Sequence, residues 1–145
     1  MIITILSASC SDFPCAKASL QFGLVGFSDT EADTIIIKKF AKSNPAILED
    51  SMMIDHIGFK RTNDTLKMVA FPSTALLEST SDYELFFPQT GKLVRVTGIE
   101  EEQLYHKRKG LFSTTKEGCE NHITAYRLDG EIKTVPEFNL TYFTR

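Results

Sequence analysis

Tryptophan is missing from the chain, and no apolar run approaches the roughly 20 residues that a helix needs to cross a bilayer. That second shortage excludes a helical membrane span. Glycine-rich phosphate loops are missing too, since neither GxGxxG nor GxxxxGK[ST] occurs. Gly91-Lys92, in PQTGK, sits at a turn before a strand, whereas a phosphate loop needs a helix N-terminus facing its ligand. Positive charge is in short supply: 16 Lys and Arg face 19 Asp and Glu, for a net charge of −3. A weakly acidic balance opposes nucleic-acid binding through bulk electrostatics.

Cysteine is sparse and odd in number, with three at Cys10, Cys15 and Cys119. A secreted disulfide framework calls for an even, denser set. Free thiols in a reducing, cytoplasmic setting are therefore expected, not secretion. The opening MIITILSASC has the outline of a leader that ends in small residues before Cys10. Its apolar part is short and no basic residue precedes it, so a first strand over 2–7 is expected instead.

What is present is globular: 145 residues, 42% hydrophobic and 24% charged, with 11 phenylalanines. This length predicts one domain, 1–145, with a full hydrophobic core. Alternation marks the strands. Leu20, Phe22 and Leu24 alternate within 19–27, and Ile57 and Phe59 within a hairpin that turns at Thr62-Asn63-Asp64. A second hairpin joins Tyr83, Leu85 and Phe87 to a return strand over 92–97. A third turns at Asp129-Gly130, residues that tolerate the positive φ of a type I′ turn. A last strand spans 139–144.

Three helices are predicted beside them. Ser28-Asp29-Thr30-Glu31 is a capping-box pattern, followed by Ala32, Ile36 and Phe40 at helical spacing, which predicts a helix over 29–42. Asn44-Pro45 predicts a short one to about Met53, with proline at the first helical position. Glu100, Glu101 and Glu102 ahead of Lys107, Arg108 and Lys109 complement a helix dipole over 99–109, with Gly110 as the stop. The expected fold class is α+β: a mainly antiparallel sheet of about eight strands built from hairpins, with two or three helices.

IDHIGFKRTND and DYELFFP locally resemble the metal-bearing strands of the vicinal oxygen chelate family. The resemblance implies a small metal-dependent enzyme in which His56 and Glu84 hold a divalent ion, a reasonable ligand pair for Zn, Fe or Mn. It covers about 25 residues. The chain departs from the family in turning at TND where a helix is expected, in a short spacing from His56 to Glu84, and in having no second ligand module. His56 is otherwise a polar residue on a strand face. Cys10 and Cys15 with Cys119 and His122 make a second candidate, a zinc site, but neither pair carries the usual turn glycine.

A nucleic-acid module is the other alternative. Lys107, Arg108 and Lys109 lie near Tyr105 and Phe112, a mixture suited to phosphate contact and base stacking. The three glutamates just before them favour a solvated, dipole-matched segment instead. No cofactor is expected, and no catalytic constellation is identifiable.

The aromatic residues carry the positive signal. Phe86 faces away from Tyr83, Leu85 and Phe87, and Phe143 faces away from Leu140 and Tyr142. A strand apolar on both faces is buried on both, or covered by a partner. Phe86, Phe138, Tyr142 and Phe143 are the candidate partner-binding residues. The favoured reading is a non-enzymatic protein that binds another protein or a second copy of itself, as an inhibitor or immunity-type protein or as a subunit of a larger assembly such as a viral particle. No membrane partner is expected.

Overall fold

The computed structural model describes residues 15–55, 59–61, 66–69, 77–109, 114–135 and 140–145. Its strands are β1 (Gln21–Val25), β2 (Thr34–Ala41), β3 (Asn44–Asp55), β4 (Phe59–Arg61), β5 (Leu66–Val69), β6 (Ser81–Phe87), β7 (Lys92–Lys109), β8 (Thr114–Leu128), β9 (Glu131–Thr134) and β10 (Leu140–Thr144). A four-stranded sheet has the order β10-β1-β5-β4, and a six-stranded sheet the order β3-β2-β6-β7-β8-β9. Only β1 and β10 pair in parallel among these strands; every other pairing is antiparallel.

The α+β expectation is corrected: among the described residues there is no helix, and the fold is all β. The segment 29–42 shows why. Its capping box does form, with Ser28 N donating to Glu31 Oε2 at 2.8 Å and Glu31 N to Ser28 Oγ at 3.3 Å. Ala32 N then donates to Ser28 O at 3.2 Å, closing one turn. Propagation stops at Thr34-Ile35-Ile36-Ile37, four β-branched residues whose χ1 freedom a helix restricts. Strands on both sides take up their backbone groups instead. Ile35 and Ile37 point into the core, and Ile36 points the other way.

The other two helices fail for related reasons. Pro45 lies in β3, an edge strand, where the missing N–H of a proline costs no ladder bond on the open side. A tight turn through Ser43, at φ 61°, returns the chain from β2 to β3. The charge order of 99–109 is spread along β7, which pairs with β8 from Val96↔Leu128 to Lys109↔Thr114. Charges matched to a helix dipole contribute only a few tenths of a kcal/mol to about 1 each. A continuous ladder outweighs them.

The strand pairings of the three hairpins are present, although the turn at Thr62-Asn63-Asp64 lies outside the described residues and the return strand from Lys92 runs on to Lys109. Phe59 pairs with Val69 and Phe86 with Leu93. Asp129 at φ 49° and Gly130 at φ 91° supply the two positive angles of the β8–β9 turn. The predicted first strand over 2–7 lies outside the described residues.

Both sheets contribute to one core. Phe22 and Leu24 from β1 and Phe143 from β10 meet Ile35, Leu85, Phe87, Val94, Val96 and Ile123 from the larger sheet. Phe22 and Phe143 stack with ring centroids 4.6 Å apart, and Phe27 and Phe87 at 5.0 Å. The Tyr126 and Thr141 hydroxyls hydrogen-bond across the core from β8 to β10.

Cys15 and Cys119 form a disulfide, with Cα atoms 4.7 Å apart and a sequence separation of 104. This corrects the expectation of free thiols at Cys15 and Cys119, while Cys10 lies outside the described residues. It also removes both residues from any zinc site, because a disulfide sulfur is not a thiolate ligand. The backbone fastens the same place: Ala16 N donates to Cys119 O at 3.1 Å and Asn121 N to Ala16 O at 2.9 Å.

Candidate functional site

The four-stranded sheet shares its core with the inner face of the six-stranded sheet, and among the described residues no strand packs on the outer face. Strand alternation decides what stands there. Ile35, Ile37, Leu85, Phe87, Val94 and Val96 are inward, so Ile36, Phe86, Leu93 and Arg95 are outward. Register then aligns them. Ile36 is opposite Met53 on one side and Phe86 on the other, and Phe86 is opposite Leu93. The result is an apolar row across four strands, Met53–Ile36–Phe86–Leu93. Met53 is 62% exposed and Leu93 42%, with Ile36 and Phe86 half-buried between them.

Two residues along each strand, the next row is charged: Ser51–Lys38–Glu84–Arg95. Glu84 Oε1 receives the Arg95 Nε hydrogen bond at 2.9 Å. Beyond that row the surface dips into a cavity of about 300 Å³, lined by Phe40, Ser43, Asp82, Glu84, Arg95 and Arg127 among others. Asp82 is buried at its wall. Its carboxylate accepts from Ser43 N at 2.7 Å and Gly98 N at 2.9 Å. Both donors have positive φ, 61° and 57°. Asp82 therefore ties the β2–β3 turn to the irregular stretch of β7, where register shifts occur between Thr97 and Glu101. This is a structural task. The carboxylates at 82 and 84 are both engaged with neighbours.

The other sequence-predicted residues are scattered. Phe86 falls within the outer apolar row. Tyr142 is on the surface of β10, 47% exposed, while Phe143 is buried against Phe22. Phe138 and His56 lie outside the described residues. Glu84 is in the charged row, held by Arg95. Lys107, Arg108 and Lys109 run along β7 opposite Lys116, Thr115 and Thr114 of β8. Among the described residues, no group of three or more His, Cys, Asp or Glu side chains is placed to hold a metal ion.

Sequence reasoning missed Met53, Ile36 and Leu93. The signal was partly there: a run of three isoleucines cannot place all of them on one face of a strand. Comparison of the chain with protein-family models, with curated proteins and with solved structures finds no match.

Proposed function

We propose that the chain works by binding another protein and that the outer face of the six-stranded sheet is the contacting surface. The observation that carries this reading is the apolar row Met53–Ile36–Phe86–Leu93, in register on four neighbouring strands. An apolar stripe rimmed by charge has the composition of an interface, with an apolar centre and a polar edge. Lys38, Glu84 and Arg95 supply that edge. The shared core supports taking 1–145 as a single domain that presents this face. An inhibitor and an assembly subunit both fit, with a second copy of the chain as one form of partner.

The test is a charge placed in the row. Met53→Asp with Leu93→Asp should abolish co-purification of the partner while leaving the fold intact. Lys17→Asp, remote from the row, should not. Retention of the partner by the double variant at wild-type level would refute the assignment.

A further inference from the structure

We propose that the protein partner docks by adding a strand to the open edge of β3. The added strand is an extended segment of that partner, apolar in its middle and flanked by Lys or Arg, paired with 51–55. This rests on the outer face being the contacting surface and specifies how a partner reaches it. Among the described residues no strand pairs with β3 on the side away from β2. Of the described edge strands it is the longest, with 12 residues against 4 in β9, 5 in β10 and 3 in β4. Natural sheets keep their edges short or stud them with lysine, because a row of unpaired N–H and C=O groups is a template for another chain. β3 carries no Lys or Arg.

Local bonds close one end of this edge and leave the other open. Pro45 has no N–H, Ala46 N donates to Asn44 Oδ1 at 3.3 Å, and the register with β2 shifts between Lys39 and Ala41. From Lys39↔Asp50 to Thr34↔Asp55 the register is regular. Ser51 N donates to Asp50 Oδ1 at 2.8 Å, on the side away from β2. Backbone groups alternate in direction along a strand, so the N–H and C=O of Met53 and Asp55 turn the same way, to the open edge.

The side chains set what fits there. Met52 and Ile54 are partly buried at the rim of the core, and Met53 ends the outer apolar row. An apolar strand beside 52–54 covers the first two on one face. On the other face it extends the Met53–Ile36–Phe86–Leu93 row by one strand. The flanks are acidic. Glu49 has Lys39 at 3.8 Å, whereas Asp50 and Asp55 have no Lys or Arg partner among the described residues. Asp55 Oδ1 accepts only from the Thr34 hydroxyl, at 3.0 Å. Opposite charges across a ladder stabilise the pairing and like charges oppose it. That selects a segment with basic flanks. It disfavours a second copy of the chain, because two β3 strands would bring Glu49, Asp50 and Asp55 from each side and no cation.

The probe is the capped peptide Lys-Val-Ile-Val-Thr-Lys. Run antiparallel, it sets its lysines opposite Asp55 and Asp50 and its isoleucine opposite Met53. Titrated into isotope-labelled protein, it should give saturable shifts at the Met53 and Asp55 amides and slow their hydrogen exchange. Asp50→Lys with Asp55→Lys should weaken binding about tenfold. Strand addition draws its affinity from main-chain bonds. N-methylation of the peptide's isoleucine amide, which faces Met53, should therefore abolish binding, and N-methylation of the valine amide after it should not. No saturable binding, or equal binding by both methylated peptides, would overturn the proposal. So would a dimer of the chain joined through β3. Asp55→Pro removes one edge N–H without breaking a ladder bond to β2, which separates this proposal from the outer-face reading. Partner lost with Leu93→Asp but kept with Asp55→Pro would overturn strand addition and leave the outer face standing. Partner lost with Asp55→Pro but kept with Leu93→Asp would support strand addition and refute the wider face.

Discussion

The two faces of the six-stranded sheet are built from the same strands and behave differently. On the inner face Ile35, Ile37, Leu85, Phe87, Val94 and Val96 meet the smaller sheet and are shut off from water. On the outer face Met53, Ile36, Phe86 and Leu93 form an apolar row that no second sheet covers among the described residues, beside the charged row of Lys38, Glu84 and Arg95. Burial drives the fold on one side. On the other side comparable hydrophobic surface contributes little until something covers it. Stability and recognition are thus separable by strand parity, and substitutions on the two faces should have opposite consequences.

The largest effect should come from the inner side. Phe22→Ala removes a fully buried ring that stacks on Phe143 and should cost about 3–5 kcal/mol in a denaturant titration, with partner binding retained by the folded fraction. Cys119→Ser opens the loop closed by the disulfide and should cost about 2–5 kcal/mol, read as the difference between oxidised wild type and variant. Asp82→Ala leaves the Ser43 and Gly98 N–H groups without their acceptor and should cost about 1–3 kcal/mol.

Smaller again is a pH effect. Burial pushes the Tyr83 phenol above its ordinary value of 10.0, partly opposed by the hydrogen bond from Glu78 N, and burial pushes the Tyr126 phenol up as well. A raised folded-state pKa favours the protonated form in the native state. This contribution is therefore intact below about pH 10 and lost as pH rises through the folded pKa values. Denaturation midpoints should fall in that alkaline window, and Tyr83→Phe should fall less steeply. The smallest change in stability should come from the outer face, where Met53→Asp with Leu93→Asp should stay within about 0.5 kcal/mol per site while partner binding is lost. Equal stability losses from both faces would erase the distinction.

Much of the strand layout was legible because hairpin turns are local chemistry. Asp129-Gly130 carries its own backbone preference, and its turn stands where the sequence placed it. The helices were misread for the converse reason. The Ser28–Glu31 capping box is a true local signal whose hydrogen bonds form, but it says how a turn starts and not how far it runs. What converts 34–41 and 99–109 into strands is pairing with partners distant in sequence, which no window of residues records. The disulfide was hidden for the same reason, its two cysteines lying 104 positions apart. The candidate surface was half legible. Phe86 stood out by facing away from its neighbours, whereas Ile36 and Met53 were assigned to helices and could not be placed beside it. Only the register joins them.

The most direct measurement is site-specific photo-cross-linking in the cell of origin. A photoreactive residue at Leu93 should give one discrete adduct with a partner, and the same residue at Lys17, which lies away from the row, should give none. Equal adducts at both positions, or no adduct at Leu93, would contradict the assignment of the outer face as the binding surface.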